Sequence, residues 1–169
     1  MRTLVIGGAR SGKSRAAETM LSGRVGVTYV ATGYPVGDDP EWAARVARHQ
    51  ADRTDSWTTL ETLDLVTLLD GAGGPLLVDC LTLWLTRQLD AVDAWDGGGS
   101  VEAATAALVA AVGRTTRDVV LVTNEVGQGL VPATESGRRF RDEMGLLNTA
   151  VATVCDDVVW CIAGRTVRL

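Results

Sequence analysis

Gly7, Gly12, Lys13 and Ser14 stand at the spacing G-x-x-x-x-G-K-[ST], within the stretch "GGARSGKS" from Gly7 to Ser14. Each residue type there has a use in holding a polyphosphate. Glycines let the backbone curl until the N–H groups of Gly7, Gly8, Ala9, Arg10, Ser11 and Gly12 face one anion, and a helix beginning at Lys13 adds its positive end. Lys13 supplies a flexible point charge that can follow the β- and γ-phosphates, which the planar guanidinium of arginine does poorly. Ser14 offers a hydroxyl to Mg²⁺. Of the sixteen basic side chains fifteen are arginine, and the single lysine is Lys13. A composition served elsewhere by arginine keeps an ammonium where phosphate chemistry separates the two. The alternative is a chance glycine turn beside a surface lysine.

A loop of this kind needs a carboxylate partner for its metal, from the end of a later strand. "LLVDC" ends in Asp79 after three apolar residues, at the edge where ligands bind in open α/β sheets, so Asp79 and Ser14 are the magnesium candidates. Capping of the following helix is the other use of such an aspartate. "VTNEVGQG" brings Asn124 and Glu125 to the same edge, as contacts to metal, water or an acceptor hydroxyl, or as a hydrogen-bonded turn before Gly127. His49 is the one histidine of the chain. Helical spacing puts it on a face with Trp42 and Val46, the edge of an apolar stripe. Arg45, Arg48 and Arg53 surround it with positive charge suited to phosphates, and an imidazole can act as a nucleophile near neutral pH.

The elements that must position these residues alternate along the chain, as in an α/β fold with a mostly parallel sheet flanked by helices. Strands are predicted at Thr3 to Ile6, Val27 to Ala31, Leu76 to Asp79, Val119 to Thr123 and Val158 to Ile162, with Thr166 to Leu169 folding back as an antiparallel C-terminal hairpin. Helices are predicted at Lys13 to Leu21, Pro40 to Ala51, Thr62 to Leu69, Leu81 to Ala91, Val101 to Arg114 and Ser136 to Val154. Asp39 and Pro40 give the second a start signal. "GAGGP" from Gly71 is a tight connection, and "DAWDGGGS" from Asp93 is expected to be a flexible insertion.

A chain of 169 residues suits a single domain over 1–169. Its net charge of −5 and pI near 4.8 argue against nucleic acid or an anionic membrane as partner. No apolar run reaches the length of a membrane span and no signal peptide opens the chain, so a cytoplasmic protein is expected. Cys80, Cys155 and Cys161 lack metal or disulfide spacing and read as buried reduced thiols.

Taken together, these segments resemble the bifunctional adenosylcobinamide kinase/adenosylcobinamide-phosphate guanylyltransferase family of cobalamin biosynthesis. The resemblance runs in order through "GGARSGKS", "YVAT", "RVARH", "WTTLE", "LLVDCLT", "VTNEVGQGLVP" and "FRDEMGLLN". It implies a P-loop NTPase-like fold and two reactions. A nucleoside triphosphate, ATP or GTP, phosphorylates adenosylcobinamide. GTP then reacts with adenosylcobinamide phosphate through a guanylyl-histidine, giving adenosylcobinamide-GDP and pyrophosphate. His49 occupies the family's histidine position, and its arginine neighbours disfavour its protonation. Glu61 is a nucleotide-binding candidate beside Trp57. Arg138 and Arg141 in "RRFRDEMGLLN" are candidates to grip the acceptor or a phosphate, and for them, as for Glu61 and Trp57, a solvated face is the alternative. The resemblance also implies a homo-oligomer, a trimer with sites near subunit boundaries. A P-loop kinase or ATPase with another acceptor is the competing reading. No NKxD-type guanine motif is present.

Overall fold

The computed structural model describes residues 1–35, 37, 40, 43–44 and 57–169. Among them a sheet of seven strands runs in the order β3-β2-β4-β5-β1-β6-β7. The strands are β1 (Arg2–Gly7), β2 (Thr28–Ala31), β3 (Thr58–Glu61), β4 (Leu76–Asp79), β5 (Val119–Asn124), β6 (Asp157–Ile162) and β7 (Arg165–Arg168). Every neighbouring pair is parallel except β6 and β7. Helices α1 (Lys13–Met20), α2 (Leu65–Asp70), α3 (Leu81–Ala91), α4 (Glu102–Arg114) and α5 (Glu135–Val154) cover its faces.

Alternation along the strands assigns the layers, because successive side chains leave a strand on opposite faces. Leu4, Val30, Val78 and Leu121 point to one face and pack against Leu65, Leu85, Leu108 and Met144 of α2 to α5. Val5, Tyr29, Leu77 and Val120 point to the other, where Ala17 and Leu21 of the α1 region meet them. Both faces of the central strands are therefore buried, and their near-continuous apolar runs follow from it. Removing one such side chain, as in Leu121→Ala, costs about 2–5 kcal/mol. The rigidity of this double layer lets the loops at the carboxyl edge hold a fixed geometry.

The predicted strands and the predicted helices other than that from Pro40 to Ala51 are found with shifted ends, and the shifts have local causes. The backbone N–H of Thr62 still donates to Ala31 O of β2 at 3.2 Å, so the segment predicted to open a helix at Thr62 continues the sheet ladder. Asp64 then caps α2, its carboxylate accepting from Thr67 N at 3.1 Å. Thr134 does the same for α5 through Gly137 N. The C-terminal hairpin forms as expected: Ile162 pairs with Arg165 across a two-residue turn in which Ala163 and Gly164 both have positive φ (49° and 73°), the backbone of a type I′ connection.

Three expectations need comment. β3 was not predicted as a strand; all four of its residues are exposed, so no apolar run marks it. The segment from Asp93 to Ser100, expected to be a flexible insertion, is anchored at three points, with Asp93, Asp96, Gly97, Gly98 and Ser100 exposed. Ala94 is fully buried, the ring of Trp95 lies 6.0 Å from that of Phe140, and Arg139 donates to Gly99 O at 2.6 Å. The helix predicted from Pro40 to Ala51 lies mostly outside the described residues; Pro40, Ala43 and Ala44 are helical. Asp39 also lies outside them.

Candidate functional site

β1 delivers Gly7 to the carboxyl edge of the sheet, in register with Asn124 of β5 and Cys161 of β6. The loop that follows is forced tight by its neighbours. A Cβ on Gly7 would stand 2.5 Å from Ser11 Oγ and 2.6 Å from the carbonyl oxygen of Cys161, so only glycine fits. Arg10 and Gly12 take positive φ values of 55° and 92°, which turn the chain into α1. Ser11 N donates to Gly8 O at 3.3 Å, and Gly164 N of the hairpin turn donates to Ser11 O at 3.0 Å, tying the loop to the end of the sheet. Lys13 Nζ donates to Gly8 O at 3.1 Å and so lies back across the loop. Burial pushes the Cys161 thiol up, and the nearby Lys13 ammonium opposes the shift.

Ser11 is 8% exposed, and its Oγ has no hydrogen-bond partner among the described residues. A buried hydroxyl in that condition costs about 1–3 kcal/mol, which a phosphate oxygen in the loop would relieve. Gly7 through Ser14 thus form a cradle of backbone, hydroxyl and ammonium groups at the start of α1.

Asp79 ends β4 in register with Val122 of β5 and Ala31 of β2, and Ala31 in turn pairs with Glu61. β4 is two strands from β1 and β3 is four. The register puts Asp79 and Glu61 level with Val5, two residues before Gly7; at about 4.8 Å per strand and 3.3 Å per residue, Asp79 stands roughly 12 Å from the start of the loop and Glu61 roughly 20 Å from it, on one edge. Asp79 thus lies between the loop and Glu61 along the edge. The Tyr29 hydroxyl donates to Asp79 Oδ2 at 3.0 Å. The capping alternative for Asp79 is not what α3 uses, since Cys80 is its N-cap and makes no side-chain cap bond. Burial, with the Asp79 charge second, pushes the Cys80 thiol up to about 11.

Asn124 and Glu125 reach the same edge, with their polar groups partly committed. Both the backbone N and Nδ2 of Asn124 donate to Thr82 Oγ1 at 3.0 Å, and its carbonyl accepts from Asn148 Nδ2 at 3.0 Å. Thr123 Oγ1 donates to Asn148 Oδ1 at 2.7 Å. Glu125 N donates to Gly7 O at 3.2 Å, and Glu125 Oε1 accepts from Gly127 N at 2.5 Å. Arg141 donates to Gly127 O, and Arg138 to the carbonyls of Pro132 and Ala133. These two arginines brace the loop between β5 and α5.

His49, Arg45, Arg48 and Arg53 lie outside the described residues. Tyr29, Thr32, Thr82 and Asn148 were missed as parts of the site. They sit inside "YVAT", "LLVDCLT" and "FRDEMGLLN", but as uncharged residues next to apolar ones they carry no chemical pattern of their own.

Comparisons with known proteins fit this geometry. A family model described as "CobU: Cobinamide kinase / cobinamide phosphate guanyltransferase" matches residues 3–169. A bifunctional adenosylcobalamin biosynthesis protein CobP of Pseudomonas aeruginosa is 44% identical over 100% of this chain and 97% of its own length. The bifunctional adenosylcobalamin biosynthesis proteins CobU of Salmonella typhimurium and Escherichia coli are each 37% identical, over 100% of this chain and 99% of theirs. Among solved structures, a prototypical ATPase from the type III secretion system of pathogenic bacteria superposes with a TM-score of 0.59 and 13% identity, covering 94% of this chain and 50% of that one. At that identity the likeness is one of fold.

Proposed function

The chain belongs to the cobinamide kinase/cobinamide phosphate guanyltransferase family and is a bifunctional enzyme of adenosylcobalamin biosynthesis; from that premise we propose how its residues divide the work. Residues 1–169 act as one domain in which the loop from Gly7 to Ser14 holds the triphosphate of either ATP or GTP. In the first reaction the acceptor hydroxyl oxygen of adenosylcobinamide bonds to the γ-phosphorus, the bond to the β,γ-bridging oxygen breaks, and the hydroxyl proton is released. Such a transfer asks mainly for positioning and neutralisation of charge. The loop N–H groups, Ser11 Oγ and Lys13 supply both.

Ser14 and Asp79 suit magnesium: a hydroxyl and a carboxylate are hard oxygen donors, and Mg²⁺ is commonly held by one or two carboxylates together with substrate phosphates. Among the described residues no cluster of three His, Cys, Asp or Glu side chains builds a fuller protein cage. When bound, the ion neutralises charge on the β- and γ-oxygens. Glu61, farther along the edge, is assigned to the sugar or base of the nucleotide, and Asn124, Glu125 and Arg45 are assigned to the acceptor.

In the second reaction an imidazole nitrogen of His49 bonds to the α-phosphorus of GTP, and pyrophosphate leaves with the broken P–O bond. A phosphate oxygen of adenosylcobinamide phosphate then bonds to the same phosphorus, the P–N bond breaks, and His49 is restored. Adenosylcobinamide-GDP is the product. We read the enzyme as cytoplasmic and homo-oligomeric, a trimer in its family's manner. Among the described residues no helix is long and apolar enough to cross a membrane.

The observation that carries the reading is the loop itself, where Gly7 is sterically obligatory, Lys13 lies across the backbone, and the buried Ser11 hydroxyl has no hydrogen-bond partner among the described residues. Incubation with adenosylcobinamide and ATP or GTP tests it. Mass spectrometry is expected to show the phosphorylated corrinoid, and, with GTP, adenosylcobinamide-GDP. Nucleotide hydrolysis without either product would overturn it in favour of an ATPase or a kinase for another acceptor.

A further inference from the structure

The end of β4 is held at two adjacent residues: Tyr29 of β2 bonds Asp79, and Thr32, just after β2, bonds Cys80. Tyr29 and Asp79 lie on the same face of the sheet: Tyr29 pairs with Leu77, Ala31 pairs with Asp79, and residues two apart on a strand share a face. The tyrosine ring packs in the buried layer over α1 at 4% exposure, and its hydroxyl reaches one step along the neighbouring strand to donate to Asp79 Oδ2 at 3.0 Å. One residue beyond Asp79, the fully buried Thr32 takes hold of Cys80. Its hydroxyl donates to Cys80 O at 2.7 Å and accepts from Cys80 N at 3.0 Å. Among the described residues Asp79 Oδ2 accepts the Tyr29 hydrogen bond and Oδ1 accepts none.

We propose that Tyr29 and Thr32 are positioning residues that together set the direction in which Asp79 presents Oδ1 to the magnesium–nucleotide complex. The proposal rests on the assignment of Asp79 as the magnesium carboxylate. Its physical basis is that a carboxylate on a strand end keeps free rotation about its side-chain bonds unless a donor engages one oxygen. A phenol anchored in a packed layer is a stiff donor, because its ring is fixed by its neighbours before the bond forms. Thr32 complements it by fixing the backbone from which the carboxylate hangs, at the point where the chain leaves β4 and enters α3. Partners that orient a metal's carboxylate ligand affect metal affinity by about 10–100-fold when removed. This gives "YVAT" a role that its apolar residues conceal: the first and last positions serve the carboxylate, and the middle two pair within the sheet.

The test measures Mn²⁺ affinity by the loss of the free-ion paramagnetic resonance signal, on full-length protein saturated with a non-hydrolysable GTP analogue. Tyr29→Phe keeps the packed ring and deletes the donor; it is expected to weaken Mn²⁺ binding about tenfold with an unchanged melting temperature. It should also raise the Mg²⁺ concentration that gives half-maximal kinase rate, while kcat at saturating Mg²⁺ recovers. Thr32→Val is expected to weaken Mn²⁺ binding in the same way, and Thr32→Ser to retain it. An Asp79→Asn control separates the two levels of the argument. If that variant binds Mn²⁺ as the wild type does, the assignment of Asp79 falls and the positioning role falls with it. If Asp79→Asn is weakened while Tyr29→Phe binds Mn²⁺ at wild-type strength, the positioning role alone is overturned.

Discussion

Thr82 Oγ1 accepts two hydrogen bonds from Asn124, one from its backbone N and one from its side-chain amide, each 3.0 Å. The first turn of α3 is thereby fastened to the end of β5, one residue before Glu125 N meets Gly7 O. Asn148 of α5 completes the fastening by donating to Asn124 O. Three helices and strands that contribute no phosphate ligand thus converge behind the nucleotide loop. Thr82→Val keeps the shape and removes the acceptor, leaving two partly buried donors without it. Equilibrium urea unfolding should show a loss of about 1–3 kcal/mol, and Thr82→Ser should restore most of it.

Two adjacent glycines should respond differently to the same substitution. A Cβ on Gly7 meets Ser11 Oγ and the Cys161 carbonyl inside 3 Å, whereas a Cβ on Gly8 meets nothing within 4 Å. Overpacking against backbone costs about 1–3 kcal/mol, so Gly7→Ala is expected to lose that much stability, and nucleotide affinity with it. Gly8→Ala should stay within about 0.5 kcal/mol of wild type. Thermal unfolding and calorimetric titration with GTP measure the pair.

Acid stability has a specific source at the amino-terminal end of β1. Arg2 donates to both oxygens of Asp156 from its side chain and to Oδ2 from its backbone N, and this holds the Asp156 carboxyl at about 2. A folded-state value below the ordinary one near 3.9 means that the unfolded chain takes up the proton first as pH falls. The stabilisation is therefore complete above about pH 4 and is lost as pH falls through about 2. Asp156→Asn should remove that part of the acid dependence and flatten the slope between those values, read from circular dichroism of samples equilibrated across the range.

How legible the molecule was depends on what each residue does. The loop from Gly7 to Ser14 was legible because its residue types and spacing match a phosphate-binding pattern that lies between a strand and a helix. The central strands were legible because burial on both faces demands unbroken apolar runs. β3 was not, since an exposed edge strand of Thr58, Thr59, Leu60 and Glu61 needs no such run; its pairing with β2 is what makes it a strand. Tyr29, Thr32, Thr82 and Asn148 were illegible for a related reason. Their hydrogen bonds join residues 24 to 50 positions apart, and only the fold brings such partners together. The arginines of "RRFRDEM" show the reverse case, because Arg138 and Arg141 hold loop carbonyls where the sequence offered a phosphate grip or a solvated face.

Lys13 offers a test of the distinction between its ammonium and a guanidinium. Lys13 Nζ lies 3.1 Å from Gly8 O, inside the turn of the loop. A planar guanidinium is bulkier and directs its donors in a fixed fork. Lys13→Arg keeps the charge and should still lower the kinase rate by about 10²-fold, the scale of an ångström-sized misplacement. It should impair guanylyl transfer as well, since one loop serves both donors. Steady-state assays of the two reactions check this.

The division of labour between the loop and His49 is tested most directly by covalent labelling with GTP carrying the label on its α-phosphate. The wild-type protein should acquire an acid-labile, alkali-stable label, and His49→Ala should acquire none while still phosphorylating adenosylcobinamide at the wild-type rate. A wild-type protein that forms adenosylcobinamide-GDP but never takes up the label, or a His49→Ala protein that is labelled equally, would contradict the two-step account.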